Sequence, residues 1–224
     1  FTKDNAIKIG AIREKIEKIS TNSNEKFILI TSLIYAADRI ANTVGHYDAY
    51  RESLDTRGRL ELQVPNIDYR KNKNNKVYCM DANILANEIK GDVVYIDPPY
   101  NSRQYSDTYH LLDNLASWNK PDVFGKAKKM DRSHIKSKYC SKDAVHEFQD
   151  LITKLNAKHI IVSYNNTENT KHGRSNAKIS FNQIKKILMK KGKTEINQID
   201  FKAFTTGKSK TENHKEILFY CRVK

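Results

Sequence analysis

The apolar run Val93-Val94-Tyr95-Ile96, followed at once by Asp97-Pro98-Pro99-Tyr100, constrains this chain more than any other stretch. β-Branched and aromatic residues favour a strand, and two consecutive prolines end it by fixing φ and removing backbone donors. The strand must therefore finish in a stiff turn that carries a carboxylate and an aromatic ring. An ordinary Asp-Pro turn has the same local signature, so the flanks decide between structure and chemistry.

Those flanks read as an alternation of short strands and helices. Strands are expected at 76–80, 92–96 and 159–164, with a short helix at 82–89 between the first two. A helix at 143–155 places Phe148, Leu151, Ile152 and Leu155 on one face, and another is expected at 181–189. Strands at 196–204 and 216–222 then close as an antiparallel hairpin. This pattern predicts an α/β sheet whose ligands lie beyond the carboxyl ends of its parallel strands.

Upstream the pattern is helical. Ile7, Ile9, Ile12, Ile16 and Ile19 mark an amphipathic helix over 4–19, and Leu29, Leu33, Ala36, Ala37 and Ile40 mark a second over 25–44. Residues 57–76 turn polar and basic, with Arg57-Gly58-Arg59 leading into alternating Leu60-Glu61-Leu62-Gln63-Val64-Pro65. That alternation suits a ribbon or edge strand, and a solvated loop is the competing reading. The cluster of cations at 70–76 suits backbone phosphates better than base edges. After the proline turn, 107–118 should be helical with Tyr109, Leu112, Leu115 and Ala116 inward. The lysine-rich residues 119–142 are either a solvated loop or a strap over a polyanion. The division expected is a helical and hairpin region at 1–75 and an α/β core at 76–224.

Charge narrows the partner. Forty Lys and Arg against 26 Asp and Glu give a formal net charge of +14. Such an excess favours nucleic acid through counterion release. Cys79, Cys140 and Cys221 are too few and too scattered for a zinc site or a disulfide framework, so no metal is expected and reduced thiols in a cytoplasm are. No apolar run is long enough to span a membrane.

The turn at Asp97 fits one chemistry well. An amino nitrogen on a purine or cytosine ring has its lone pair drawn into the ring, and becomes nucleophilic only as it pyramidalises. Acceptors aimed at its two N–H groups favour that change. Asp97 offers one charge-assisted acceptor, the Pro98 carbonyl a second, and Tyr100 a face on which the flat base stacks.

The stretch Val93 to Tyr109, Val-Val-Tyr-Ile-Asp-Pro-Pro-Tyr-Asn-Ser-Arg-Gln-Tyr-Ser-Asp-Thr-Tyr, resembles the catalytic motif of the D12 (Dam-like) class of N6-adenine-specific DNA methyltransferases. Its continuation Asn101-Ser102-Arg103-Gln104-Tyr105-Ser106 is similar to modification methylases of restriction systems. Ala37-Asp38-Arg39-Ile40-Ala41-Asn42-Thr43, followed by Tyr47 and Tyr50, is similar to the same group, with no role derived. The resemblance implies a Rossmann-like sheet, S-adenosylmethionine as methyl donor, double-stranded DNA as partner and a flipped adenine as target. It implies catalytic roles for Asp97, Pro98, Pro99 and Tyr100. It places Asp81 at the adenine of the donor, although Asp is equally suited to cap a helix beginning at residue 82. Arg57 and Arg59 fall where the class carries a DNA-contacting hairpin, and Arg103 and Tyr105 follow the motif on the substrate side. Asn165 corresponds to a Ser-Asn pair near the target base, here interrupted by Tyr164. A bacterial or archaeal cytoplasm and a cognate restriction endonuclease complete the implied setting.

One expected feature is missing. The class holds the methionine part of its donor with a Phe-x-Gly-x-Gly loop, in which glycines admit the close approach of backbone amides. Here the glycines are at 10, 45, 58, 91, 125, 173, 192 and 207, and no two are close enough to form it. The acidic residue that would meet the donor ribose has no counterpart either. The expectation is a sheet incomplete at its N-terminus, with the cofactor lobe on a missing region or a complementary chain. The alternatives are an N4-cytosine or RNA amine methyltransferase, or an inactive DNA-binding fragment.

Overall fold

A computed structural model describes residues 1–49, 51–54, 58–67, 74–167, 177–200 and 214–224. Its helices are α1 (Lys3–Ile19), α2 (Ser23–Arg39), α3 (Ala82–Leu85), α4 (Tyr105–Thr108), α5 (His110–Ser117), α6 (Ala144–Lys154) and α7 (Phe181–Lys191). Its strands are β1 (Lys90–Ile96), β2 (Asn156–Asn165), β3 (Gly192–Asp200) and β4 (Lys215–Val223). They form two compact units, Phe1–Lys76 with Tyr105–Ile135, and Val77–Gln104 with Lys136–Lys224. Residues 105–135, grouped with the α/β core in the sequence division, pack in the helical unit.

The helical unit is built on capped amphipathic helices. The Thr2 and Asn22 side chains accept from Asn5 N and Glu25 N, satisfying donors that a helix start leaves unpaired. Ile9, Ile16, Ile30, Leu33, Ala37, Ile40 and Leu115 form its core. Arg13 is buried among them, donating from Nε to Leu115 O at 2.7 Å and from Nη2 to Ala116 O at 2.9 Å. It thereby closes the carbonyl end of α5, where no further helical turn supplies donors.

Several expected elements take another form. α2 ends at Arg39 instead of 44, because the Ile40 N–H turns back to Ala37 O and Asp38 O in a tight last turn. The helix expected at 107–118 breaks at Tyr109, whose backbone leaves the helical region. The break resets the helical phase, so Leu115 stays buried while Tyr109 and Ala116 face solvent. The alternating residues 60–65 form no strand: Gln63 O accepts from Ser32 Oγ of α2 at 2.6 Å, and Leu60 joins the helical core. Residues 76–80 also lack a ladder, with Val77 95%, Tyr78 49% and Met80 44% exposed, so neither face gains burial.

In the second unit the sheet runs β1-β2-β4-β3. β1 and β2 are parallel, while β2 with β4 and β4 with β3 are antiparallel. One face, carrying Val94, Ile96, Ile160, Val162, Tyr164, Ile217, Phe219 and Cys221, packs against α6 and α7 through Phe148, Leu151, Ile152, Ile184 and Leu188. The opposite face carries Val93, Tyr95 and Leu218, which are 57%, 60% and 38% exposed. Among the described residues, β1 pairs with β2 alone and its other edge is open. Gly192 joins α7 to β3 where an added Cβ would lie 2.0 Å from the Arg222 carbonyl oxygen, so only glycine fits there.

Candidate active site

β1 delivers its turn to the carboxyl end of the parallel pair. Ile96 and Pro98 are buried, Pro99 is half-buried, and Asp97 and Tyr100 are exposed. The alternation arises because Pro98 is the turn's anchor while the carboxylate and ring lie on the solvent side. The turn is tied down at its last residue: Tyr100 O accepts from Lys178 N at 2.7 Å and from the Tyr164 hydroxyl at 3.4 Å. Ile179 N in turn donates to the Tyr164 hydroxyl at 3.2 Å. The Tyr164 ring stands edge-on to Tyr100 with centroids 6.2 Å apart.

The chain after the turn is held separately. Arg103 N donates to the Asn101 side chain at 2.9 Å, which curls the backbone into an Asx turn. The Gln104 carboxamide donates to Ser137 O and accepts from Ser137 N, at 3.0 and 2.7 Å. Cys140 Sγ donates to Arg103 O. The Arg103 side chain is exposed in this unit.

Asn165 ends β2 and is 4% exposed. Its Oδ1 accepts from Thr167 N at 3.1 Å and from the Thr167 hydroxyl at 2.7 Å, so that oxygen serves the turn leaving the strand. Opposite Asn165 in the ladder stands Glu216 of β4. The alternation of strand side chains puts Glu216, Asn165, Ser163 and Asp97 on the sheet face away from α6 and α7. Burial raises the Glu216 carboxyl above its ordinary range, and the Asp97 charge raises it further, against the lowering effect of His214. Sequence reading missed Glu216, because only the strand register joins a residue near position 220 to a turn near position 100.

Asp81 caps α3, with Oδ1 accepting from Asn83 N at 2.8 Å and Ile84 N at 3.2 Å. Behind it, the Asn83 side chain bonds Glu147 O, Asp150 and the Tyr139 hydroxyl. Burial drives the Tyr139 hydroxyl far above its ordinary range, with the Glu147 and Asp81 charges adding to it. Asp81 as a whole is exposed.

The remaining named residues lie in the helical unit. Tyr105 is 62% exposed and stacks with Tyr109 at 6.1 Å. Arg59 is exposed, next to a left-handed Gly58, and Arg57 lies outside the described residues. Four cations of the lysine-rich stretch meet acids within this unit: Lys120 pairs with Glu14, Lys126 with Glu52, Lys129 with Asp48 and Arg132 with Asp107. Among the described residues no cluster of His, Cys, Asp or Glu could hold a metal ion, and no helix is long and apolar enough to cross a membrane.

Comparison with known proteins accords with this geometry. The family model for D12 class N6 adenine-specific DNA methyltransferases matches residues 1–172. Modification methylase StsI of Streptococcus sanguinis is 36% identical over 227 aligned positions, covering 98% of this chain and 34% of that protein. Type II methyltransferase M.NlaIII of Neisseria lactamica is 34% identical, over 96% of this chain and 63% of that protein. Type II methyltransferase M.FokI of Planomicrobium okeanokoites is 36% identical, over 98% of this chain and 34% of that protein. The chain thus spans 34% to 63% of the length of these relatives. No solved structure matches it. The motif at β1, the mixed sheet that carries it and the extent of the match together assign the chain to the D12 class of N6 adenine-specific DNA methyltransferases.

Proposed function

We propose that this chain carries the target-base half of a site-specific adenine methyltransferase acting on double-stranded DNA in a restriction-modification system. The observation that carries the reading is the turn at the end of β1: Pro98 is buried as its anchor while Asp97 and Tyr100 are presented to solvent. In the proposed reaction the Asp97 carboxylate accepts one N–H of the adenine N6, and the Pro98 carbonyl accepts the other. These bonds strengthen as positive charge develops on nitrogen, so they stabilise the transition state more than the bound base. Tyr100 stacks on the flipped ring and holds N6 in line. Pro99 keeps the turn stiff, and Asn165 closes the neighbouring strand end. Arg57, Arg59, Arg103 and Tyr105 contribute to holding DNA, chiefly at phosphates. The cell compartment is a bacterial or archaeal cytoplasm, and the partner enzyme a restriction endonuclease of the same specificity.

S-Adenosylmethionine, when bound, supplies an electrophilic methyl group. The residues here fit that donor only in part: Asp81 is exposed at the start of α3, with no strand before it, and no glycine pair forms a cradle for the methionine end. The sheet supports the same division. Parallel strands are normally covered on both faces, yet among the described residues β1 has an open edge and exposed Val93 and Tyr95. This supports a reading in which further strands, in a cofactor lobe, continue these four into a larger Rossmann-like sheet.

The test is methyl transfer from tritiated S-adenosylmethionine to unmethylated duplex DNA, by this chain alone and by the intact enzyme, with identification of the modified nucleoside. N6-methyladenine from the intact enzyme supports the reading; N4-methylcytosine, or label in RNA alone when RNA is offered in a parallel reaction, would replace it. Asp97→Ala should lower turnover by about 10²- to 10³-fold, the cost of one transition-state acceptor, while duplex affinity stays within about threefold because phosphate contacts dominate it.

A further inference from the structure

We propose that Tyr164 is a positioning residue for Tyr100, the brace that fixes the plane on which the target base stacks. The proposal rests on the base-holding role given above to the Asp97–Tyr100 turn, and concerns what keeps that turn in one geometry. Tyr164 stands on the core-facing side of β2, 2% exposed, yet its hydroxyl reaches the turn after β1. The oxygen does two jobs at once, donating to Tyr100 O at 3.4 Å and accepting from Ile179 N at 3.2 Å. A hydroxyl has one donor and two acceptor positions, so a single tyrosine satisfies both groups and neither phenylalanine nor leucine can. Ile179 is itself 1% exposed, so its N–H would be stranded without that oxygen.

The contacts converge on one peptide. Tyr100 O is held by Lys178 N at 2.7 Å as well as by Tyr164, so the two residues beside the brace grip the same carbonyl. The segment that grips it is firm, because Ser180 and Gln183 form a capping box at the start of α7 just beyond Ile179. The Tyr164 ring supplies a third constraint. It meets Tyr100 at an interplanar angle of 79°, an edge contact that limits rotation of the Tyr100 ring while leaving it 40% exposed for a partner. Backbone and ring of Tyr100 are thus both set by one buried residue 64 positions away. Tyr164 touches neither the amine nor the methyl donor in this scheme, so its loss should act on alignment and not on affinity.

The experiment compares the intact enzyme with its Tyr164→Phe variant in two readouts. Steady-state transfer should show kcat lowered by about 10- to 100-fold, the cost of a small misplacement of reacting groups, with KM for DNA and for S-adenosylmethionine within about twofold of the parent. Independently of catalysis, 3-fluorotyrosine placed at position 100 should give a ¹⁹F resonance that broadens or shifts in the variant. Replacement of Tyr164 by 4-aminophenylalanine, which restores the donor to Tyr100 O but only a poor acceptor for Ile179 N–H, should recover part of kcat and the parent ¹⁹F line. Unchanged kcat with an unchanged ¹⁹F line would overturn the proposal, as would a raised KM for DNA with kcat intact. If Tyr164→Phe does not fold, the 4-aminophenylalanine protein decides through the bond to Tyr100 O that it keeps: the parent ¹⁹F line supports the brace, and a broadened or shifted line overturns it. If the parent enzyme itself yields no N6-methyladenine, the function proposed above fails, and the ¹⁹F comparison still decides whether Tyr164 holds Tyr100.

Discussion

Replacing Arg13 by methionine isolates the device that joins α1 to α5 within the helical unit. The guanidinium is 1% exposed and makes two bonds to main-chain oxygens, 2.7 Å to Leu115 and 2.9 Å to Ala116. Methionine keeps much of the aliphatic volume but leaves the Leu115 carbonyl unpaired in a buried place and the Ala116 carbonyl unpaired in a partly buried one. A hydrogen bond from a charged donor contributes about 1.5–3 kcal/mol net, so two give about 3–6 kcal/mol. Removal of a costly buried cation returns about 1–2 kcal/mol of that. The expected loss is therefore about 3 kcal/mol. Glu17, the third partner, keeps Lys26 at 2.6 Å and adds little to the change. Trp118, the single tryptophan in the chain, lies beneath the guanidinium at 5.4 Å and reports unfolding of this unit by fluorescence. With a urea slope of about 2 kcal/mol per molar, the midpoint should fall by about 1.5 M. Arg13→Lys should recover part of it, since one ammonium reaches one carbonyl but lacks the planar fork. A midpoint shift for methionine below about 0.3 M would refute the reasoning, because it would show that the two carbonyls find other donors at no cost.

The α/β unit offers sharper tests of its own. Gly192→Ala sets a Cβ 2.0 Å from Arg222 O and 2.8 Å from Val223 Cα, so backbone must move; thermal unfolding should fall by about 6–12 °C for a loss of about 3 kcal/mol. Gly91→Ala meets its nearest foreign atom at 3.6 Å and serves as the control, with little change expected. Glu216→Gln should alter the pH dependence of stability in a defined direction. Burial and Asp97 raise the folded carboxyl above its ordinary value of 4.5, so the native state holds this proton more tightly than the unfolded chain. Wild type then loses stability as pH rises from 4.5 through the raised value, and Glu216→Gln should be flatter over that window; parallel curves would contradict the assignment.

The turn after β1 was legible in the sequence because strand, anchor, carboxylate and ring are contiguous, and proline restricts the backbone wherever it stands. The helices α1, α6 and α7 were legible for a similar reason, since their apolar stripes repeat within one element. Alternation misled at 60–65 and at 76–80, because a strand needs a partner and the pattern records only which residues share a face. In the first case α2 captured the segment through Ser32, and in the second neither face found cover. Phase was lost at Tyr109 for want of any local signal that the backbone would leave the helix there. Contacts between residues distant in sequence were hidden more deeply. Tyr164 reaches across 64 positions and Arg13 across 102, and Glu216 meets Asn165 only through a strand register.

Net charge illustrates the same limit in electrostatic form. A total of +14 is a sound argument for a polyanionic partner, since the long-range field depends on the sum of charges. It does not identify which cations meet phosphate. Lysines 120, 126 and 129 and Arg132 belong to one lysine-rich stretch, and each stands against a carboxylate of its own unit. A lysine that must leave an internal acid to reach a phosphate exchanges one ion pair for another, and the acid it abandons then repels the same phosphate. Its yield in counterion release is accordingly smaller than that of an unpaired cation. Exposed pairs such as Lys126 with Glu52 are weak enough to be exchanged, whereas Arg132, 15% exposed beside Asp107, is far less available. Counting basic residues along the stretch therefore overstates its pull on DNA, and the acids at 14, 48, 52 and 107 set how much of that pull remains.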